Sequence, residues 1–465
     1  MARTANRRRV MGGLVMSALL CGTSLGAAPK KPRPSPPNIV FIMADDLGYA
    51  DLSCTGSNHI RTPAIDSIAA DGVQLRQGYS STPICSPTRT ALLTGNWAQR
   101  LPLGIEEPLG PTAPRDSGVP AGQPTIASVL KALGYRTALV GKWHLGDPPV
   151  HGPLQHGYDE FYGIVEGGAD YFRHRMVMGG KEVGIGLARG NDRAQASGYL
   201  TDLFGDEAVR TIEAAGNDPF FLSLHFTAPH WPWEGREDAE AAKTIGMSFD
   251  YERGNLAKYR EMVETMDQNV AKVLAALDRT GKADNTIVVF TSDNGGERFS
   301  ETWPFIGQKG EVLEGGIRVP IVMKWPGQIV PGSKSEQVMA SFDFLPTLLA
   351  MAGGSVARAG TFDGVDLSAQ LTGKAVAAER TLYWRFNAAN QAAVRKGDWK
   401  YVKIGGKEHL FNLAEDERER ADRGRAHPEK LDELKRLWDD WNRQMVPYRV
   451  DGFSQDPRQS FTDRY

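Results

Sequence analysis

Three stretches of the chain follow one order: a helix-forming run, a turn, then a short apolar run. They are TIASVLKALGYRTALVGKWH from residue 125, DLFGDEAVRTIEAAGNDPFFLSLHFTAPH from residue 202, and VAKVLAALDRTGKADNTIVVFTSDNG from residue 270. A fourth apolar run of strand length, Asn38–Met43, opens the ordered part of the sequence and stops abruptly on Asp45-Asp46-Leu47-Gly48. Helices alternating with such strands predict a parallel or mixed sheet. Its strands are apolar along their whole length, so both faces need a cover of helices. No internal repeat of fixed period competes with this reading.

At 465 residues the chain can bury a large core. The first 28 residues read as a signal peptide, with Arg7, Arg8 and Arg9 before a short apolar run and small residues ahead of Pro29. The arginines fit a twin-arginine signal and equally a general secretory one. Leu20 is bulky for a lipoprotein cleavage site, which argues against lipidation of Cys21. The apolar run falls short of the roughly 20 residues that span a bilayer. The expected location is therefore exported, periplasmic or secreted, with no membrane span. Residues 36–375 form the expected α/β domain. From 376 to 465 the texture changes: RTLYWRF, QAAVRKGDWKYVKI and EHLFNL read as a small antiparallel sheet, and HPEKLDELKRLWDDWNRQM as an amphipathic helix. The glycine-rich stretch from Met176 to Gly198 reads as a surface insertion. A formal net charge of -2 with no Lys/Arg-rich block inside the folded region argues against nucleic acid as partner.

In a doubly wound sheet, ligands bind beyond the carboxyl ends of the strands. Several strands here end in polar residues that a fold alone does not require. Asp45 and Asp46 follow the first, Lys142 and His144 follow TALVG, His225 and His230 lie in and after FFLSLHFTAPH, and Asp293 and Asn294 follow TIVVFTS. Each alone could be a turn or a solvated group. Their coincidence at one end of one sheet points to a site. Asp45, Asp46, Asp293 and Asn294 are hard oxygen donors, which suit Ca²⁺ or Mg²⁺, and no zinc-type His/Cys pattern accompanies them. A hard cation among Lys, Arg and His suits an anionic, oxygen-rich substrate such as a sulfate or phosphate ester.

CSPTRTALLTG, residues 85 to 95, adds a cysteine to this set. With the signal removed, only Cys54 and Cys85 remain, and two cysteines in an exported chain ordinarily suggest a disulfide. The surroundings of Cys85 argue otherwise. Pro87 suits the first turn of a helix and Ser86 its cap, which places Cys85 at the positive end. Arg89, four residues on, returns to the same face. A soft thiolate beside a hard cation is a poor match, and the mismatch disappears if oxygen replaces the sulfur.

At these residues the sequence resembles the type I sulfatases, the formylglycine-dependent family of the alkaline-phosphatase-like superfamily. CSPTRTALLTG matches the family signature of Cys, any residue, Pro, any residue, Arg, then a run ending in Thr-Gly. FIMADDLGYADL, GKWHLG, APHWP, TSDNGG and GQKGEVLEGGIRVP are similar to further family motifs and occur in the family's order. The resemblance implies an α/β fold with a mixed sheet sandwiched by helices. It implies that a formylglycine-generating maturation enzyme oxidises Cys85 to 3-oxoalanine, and that Asp45, Asp46, Asp293, Asn294 and the modified Cys85 bind the cation. The hydrated aldehyde would attack sulfur, and its second hydroxyl would then expel sulfate. Arg89 would hold the modified residue and the metal ligands. Lys142 and Lys309 would neutralise sulfate oxygens, His144 would serve the diol, and His230 would protonate the leaving oxygen. His225 reads as structural.

Two rivals are a phosphonate or phosphate ester hydrolase of the same superfamily, and a calcium-dependent carbohydrate-binding protein without catalysis. Lys142, His144, His230 and Lys309 argue against the second, because binding alone needs no proton donor. A sulfated carbohydrate or an aryl sulfate is the expected substrate. Trp231 and Trp233 beside His230 are the leading candidates for stacking on a sugar face, with Arg298 as a substrate contact. Trp303, Arg173 and His174 are further residues that could line a sugar pocket.

Overall fold

The computed structural model describes residues 35–101, 109–110, 113–114, 116–250 and 253–447. The expected signal peptide, with Arg7–Arg9 and Cys21, lies outside these residues, as do residues 448–465. Among the described residues no helix is long and apolar enough to cross a membrane.

Each of the three stretches folds in its expected order. Ile126–Lys131 precedes Arg136–Gly141, Leu200–Ala214 precedes Phe220–His225, and Leu256–Arg279 precedes Thr286–Ser292. Five strands run parallel at the centre of the sheet, in the spatial order Thr286–Ser292, Asn38–Ala44, Phe220–His225, Arg136–Gly141, Glu160–Ile164. Antiparallel strands extend both sides, Ile321–Lys324 next to Thr286–Ser292 and Leu187–Arg189 next to Glu160–Ile164. The sheet is therefore mixed.

Alternation along Asn38–Ala44 shows why both faces had to be apolar. Val40 and Ile42 pack with Phe204, Met262 and Val270 from the helices Leu200–Ala214 and Leu256–Arg279. Ile39, Phe41 and Met43 pack on the other side with Ile126, Leu130, Phe344 and Leu348. The stretch 176–198 departs from the expected surface insertion. Leu187 and Ala188 are buried, and Leu187–Arg189 joins the main sheet as its next strand. A three-residue strand between glycines is too short for an alternating pattern to reveal it.

Register decides where the strand ends fall. Met43 pairs with both His225 and Thr291, Ala44 with Ser292, and His225 with Gly141. The next residues on three of these strands are Asp45, Asp293 and Lys142. A parallel sheet with level ends thus sets these side chains on one rim.

The C-terminal part forms a separate antiparallel sheet of Thr381–Phe386, Gln391–Lys396, Trp399–Ile404 and Lys407–Asn412. The helix Pro428–Asn442 packs on it through Leu434, beside Val394 and Leu410. QAAVRKGDWKYVKI is a hairpin of two strands, turned at Gly397-Asp398, where Gly397 takes a left-handed φ of 57°. The opposite side of this sheet holds the segments before Cys85 and after Lys309. Trp384 Nε1 donates to the Ser80 carbonyl at 2.9 Å, and Gln391 Oε1 accepts from Val312 N at 2.9 Å. Deepest is a buried charge cluster: Lys400 Nζ lies 2.8 Å from both Glu314 Oε1 and Glu419 Oε1, and Arg318 also pairs with Glu314. Burial works against an ionised Glu314, but Arg318, Lys400 and Arg395 outweigh it and hold the carboxyl well below its usual range.

Lys400 is fully buried, so removing its charge strands Glu419. Lys400→Met should cost about 3–5 kcal/mol of stability, measured as a lower urea midpoint. Adding Glu419→Gln should recover part of the loss because the stranded charge is gone. An unchanged midpoint in Lys400→Met would show that the cluster contributes nothing.

Candidate active site

The signature cysteine begins the helix Cys85–Thr94, which is buried along its whole length. The cap is not Ser86, as expected, but Ile84, whose φ of -151° and ψ of 154° are extended. Ser86 sits inside the first turn, and its Oγ accepts from Leu109 N at 3.0 Å. Cys85 is still in the first turn, where unpaired N–H groups favour a negative charge. The helix stops at Gly95, with φ of 69°. Neither Cys54 nor Cys85 is in a disulfide.

The Cys85 sulfur lies 3.6 Å from Asp45 Oδ1 and 3.9 Å from Asp46 Oδ1. Burial raises its thiol well above the usual range. Asp45, Asp46 and Asp293 each offer a carboxylate oxygen, and the three oxygens lie within 4.8 Å of one another, all buried. Asn294 Nδ2 donates to Asp46 Oδ1 at 2.8 Å, and its own Oδ1 is buried with no hydrogen-bond partner.

Cations answer these carboxylates one by one. Arg89 reaches Asp293 Oδ2 through Nε at 3.1 Å and Nη2 at 2.9 Å, and lies 3.5 Å from Asp45. Lys142 Nζ meets Asp45 Oδ2 at 2.6 Å, and Lys309 Nζ meets Asp46 Oδ2 at 2.6 Å. Burial raises the Asp45 carboxyl despite Lys142 and Arg89. For Asp46, burial is outweighed by Lys309, His230 and Lys142, and the carboxyl is held well below its usual range. Three buried carboxylates and an orphaned amide oxygen form an all-oxygen donor set of the kind Ca²⁺ and Mg²⁺ select, so these residues fit such an ion.

The two histidines present different nitrogens. His144 takes a left-handed φ of 60°, and Asp46 one of 65°, strained conformations for residues with side chains. His144 Nε2 is 2.8 Å from the Leu109 carbonyl, so Nε2 carries the proton and Nδ1, buried without a partner, is a free base. His230 Nδ1 donates to the Trp231 carbonyl at 2.7 Å, and its Nε2 lies 3.7 Å from Asp46 Oδ2. Burial lowers both histidines well below the usual range.

Gly167 and Gly168, unmarked by any motif, press on these rings. A Cβ on Gly167 would come within 2.5 Å of His144 Nε2, and one on Gly168 within 3.2 Å of His230 Nδ1. Only the fold reveals that a side chain at Gly167 would displace His144 and that one at Gly168 would crowd His230. Glu297, 3.8 Å from Lys309 Nζ, is a second neighbour the sequence did not flag. His225 is buried below the site, where it lines a small cavity with Arg89.

The expected sugar-stacking pair is placed differently. Trp231 and Trp233 are only 9% and 5% exposed. Trp231 packs against the His230 ring at 4.0 Å and Phe249 at 5.8 Å, and Trp233 against Phe299 at 4.9 Å. Protein covers most of their faces, which leaves little for a sugar. Arg298 is half-buried, its guanidinium 5.1 Å above Phe299. Arg173 donates to the Ala242 and Ile245 carbonyls, and His174 is buried against the Gly198 carbonyl.

A family model described as Sulfatase matches residues 37–355, and one described as N-sulphoglucosamine sulphohydrolase, C-terminal, matches residues 307–430. The chain is 32% identical to steryl-sulfatase of Mus musculus over 82% of this chain and 72% of that protein. It is 33% identical to N-acetylgalactosamine-6-sulfatase of Rattus norvegicus over 79% of this chain and 71% of that protein. The crystal structure of Ps i-CgsB in complex with k-i-k-neocarrahexaose is similar with a TM-score of 0.80 and 31% identity, over 89% of this chain and 94% of that one. With the family model matched across the α/β domain and these relatives aligned over most of the chain, the protein belongs to the sulfatase family and is a sulfuric ester hydrolase.

Proposed function

We propose that this sulfatase removes sulfate from a sulfated carbohydrate, using Cys85 after its conversion to formylglycine and a divalent cation, Ca²⁺ or Mg²⁺. The observation that carries the reading is the convergence on the Cys85 sulfur of Asp45 at 3.6 Å and Asp46 at 3.9 Å, each already bridged to a lysine at 2.6 Å. Support for a saccharide comes from relatives named for N-acetylgalactosamine 6-sulfate and from a structure bound to a neocarrahexaose. The basic and apolar pattern ahead of Pro29 supports export, periplasmic or secreted.

Asp45, Asp46, Asp293 and Asn294 would hold the cation, with the modified Cys85 as a further ligand. The cation would supply Lewis-acid charge and the formylglycine hydrate the attacking oxygen. The chain's own residues account for the rest. Arg89 braces Asp293 and the Lys142 carbonyl, so the nucleophile helix and two strand ends move as one body. Lys142 and Lys309, which pair with Asp45 and Asp46 at 2.6 Å, would place their ammonium groups against the sulfate oxygens. His144 Nδ1 is the free base for the second hydroxyl of the diol. His230 Nε2, with Nδ1 fixed by the Trp231 carbonyl, serves as the acid for the leaving oxygen. An anionic substrate beside it opposes the effect of burial and favours the protonated ring.

Peptide mass spectrometry of enzyme co-expressed with a formylglycine-generating enzyme should find an aldehyde at Cys85, and Cys85→Ala should abolish turnover. Only thiol at Cys85 in fully active enzyme would end this reading. Chelation should remove activity and added Ca²⁺ or Mg²⁺ restore it, whereas full activity in a metal-free preparation contradicts the donor-set assignment. His230→Ala should slow a sulfated sugar by roughly 10²–10⁴-fold but an activated aryl sulfate far less, because a nitrophenolate leaves without a proton. The measurement is kcat/KM on 4-nitrophenyl sulfate and on a panel of N-acetylgalactosamine 6-sulfate, sulfated galactose and k-i-k-neocarrahexaose. Equal losses on both classes would mean that His230 does not protonate the leaving group. Turnover of a steroid sulfate with none of the saccharides would overturn the carbohydrate assignment.

A further inference from the structure

Among the described residues Trp303 is the aromatic side chain that the fold leaves open: it is 60% exposed, whereas the other tryptophans there are buried or half-buried. Its place in the chain ties it to the site. The loop that carries it starts just after Asn294 and ends at Lys309, and it is closed at its base by Lys309 N donating to the Gly296 carbonyl at 2.9 Å. The side chain of Asp51 fixes its middle, accepting from Ser300 Oγ at 2.6 Å and from Glu301 N at 2.9 Å. Asp51 also accepts from Gly48 N at 2.8 Å, on the loop that follows Asp45 and Asp46. Ala50 N donates to the Glu301 carbonyl at 2.9 Å, a second tie between the two loops. Trp303 is thus carried on a loop pinned to the segment that follows Asp45 and Asp46 and running from Asn294 to Lys309.

One ring face is already occupied. The Arg418 guanidinium, from the C-terminal part of the chain, lies 4.5 Å from the Trp303 ring centre. This cation–π contact fixes the ring and sets a positive charge beneath it. An open indole face is suited to the apolar face of a sugar ring. The positive charge behind the ring favours a sugar bearing sulfate or carboxylate on the opposite face.

We propose that Trp303, backed by Arg418, is the platform for the sugar ring adjoining the one that loses its sulfate, and that this adjoining ring carries an anionic group. The substrate class is then a polyanionic oligosaccharide rather than a free sugar sulfate. The inference rests on the carbohydrate reading above and goes further by assigning a second sugar site. It also gives the C-terminal part a role in recognition, through Arg418 behind the Trp303 ring.

The test compares k-i-k-neocarrahexaose and a chondroitin sulfate tetrasaccharide with the corresponding sulfated monosaccharides. Trp303→Ala should raise KM for the oligosaccharide about tenfold more than for the monosaccharide, with kcat affected alike on both, and Trp303→Phe should restore most of the difference. Arg418→Gln should weaken the oligosaccharide with an anionic neighbouring ring more than its counterpart in which that ring is desulfated or carboxyl-reduced. A thermal melt of each variant establishes that it is folded. Equal KM changes on oligosaccharide and monosaccharide in a folded Trp303→Ala overturn the platform and leave the carbohydrate reading standing. A wild-type enzyme that hydrolyses aryl sulfate but no saccharide overturns both.

Discussion

Buried charge on the rim of the sheet is the constraint to which the rest of the structure answers. Asp45, Asp46 and Asp293 have essentially no exposure, and an isolated carboxylate in such a place is strongly disfavoured. Each is therefore met by a cation from another part of the chain: Lys142, Lys309 and Arg89. These partners come from segments more than 90 residues apart for Asp45–Lys142 and more than 260 apart for Asp46–Lys309. The pairs can form only when the parallel strands reach their registered positions with the helix Cys85–Thr94 in place. Folding and assembly of the site are one event.

The same charges make the site reactive. On the proposed reading, Asp45, Asp46 and Asp293 would hold a divalent cation, and Lys142 and Lys309 beside them would favour an anionic ester. The low dielectric that makes unpaired charge costly also strengthens these interactions once substrate excludes water. Strained backbone at Asp46 and His144 belongs to this economy, since a surrounding network of contacts is needed to hold non-glycine residues at positive φ.

The C-terminal sheet does more than cap the fold. It fastens the Lys309 segment through Gln391 and Lys400, and holds Ser80, ahead of the helix Cys85–Thr94, through Trp384. A small sheet with a single helix offers a limited core, and its inner face is buried with residues of the α/β domain, among them Tyr79, Ile84, Trp97 and Val312. Recognition and catalysis thus share one support, with Arg418 from this part of the chain stacked on Trp303.

The sequence alone determined the α/β class, the order of helices and strands, and the polar residues at the strand ends. Those features are local: apolar runs of strand length, helix periodicity, and short motifs such as CSPTR and SDNGG. Tertiary structure decided what local patterns cannot carry. Leu187–Arg189 is a sheet strand because its backbone pairs with Glu160–Ile164, which three residues between glycines could not announce. Trp231 and Trp233 are covered because Phe249 and Phe299 arrive from distant segments, whereas Trp303 stays open on a loop held by Asp51. Gly167 and Gly168 are small because two histidines from other loops lie against them. Residue type and spacing name the chemistry a chain can perform. Burial and proximity, which depend on long-range packing, decide which of several similar residues performs it.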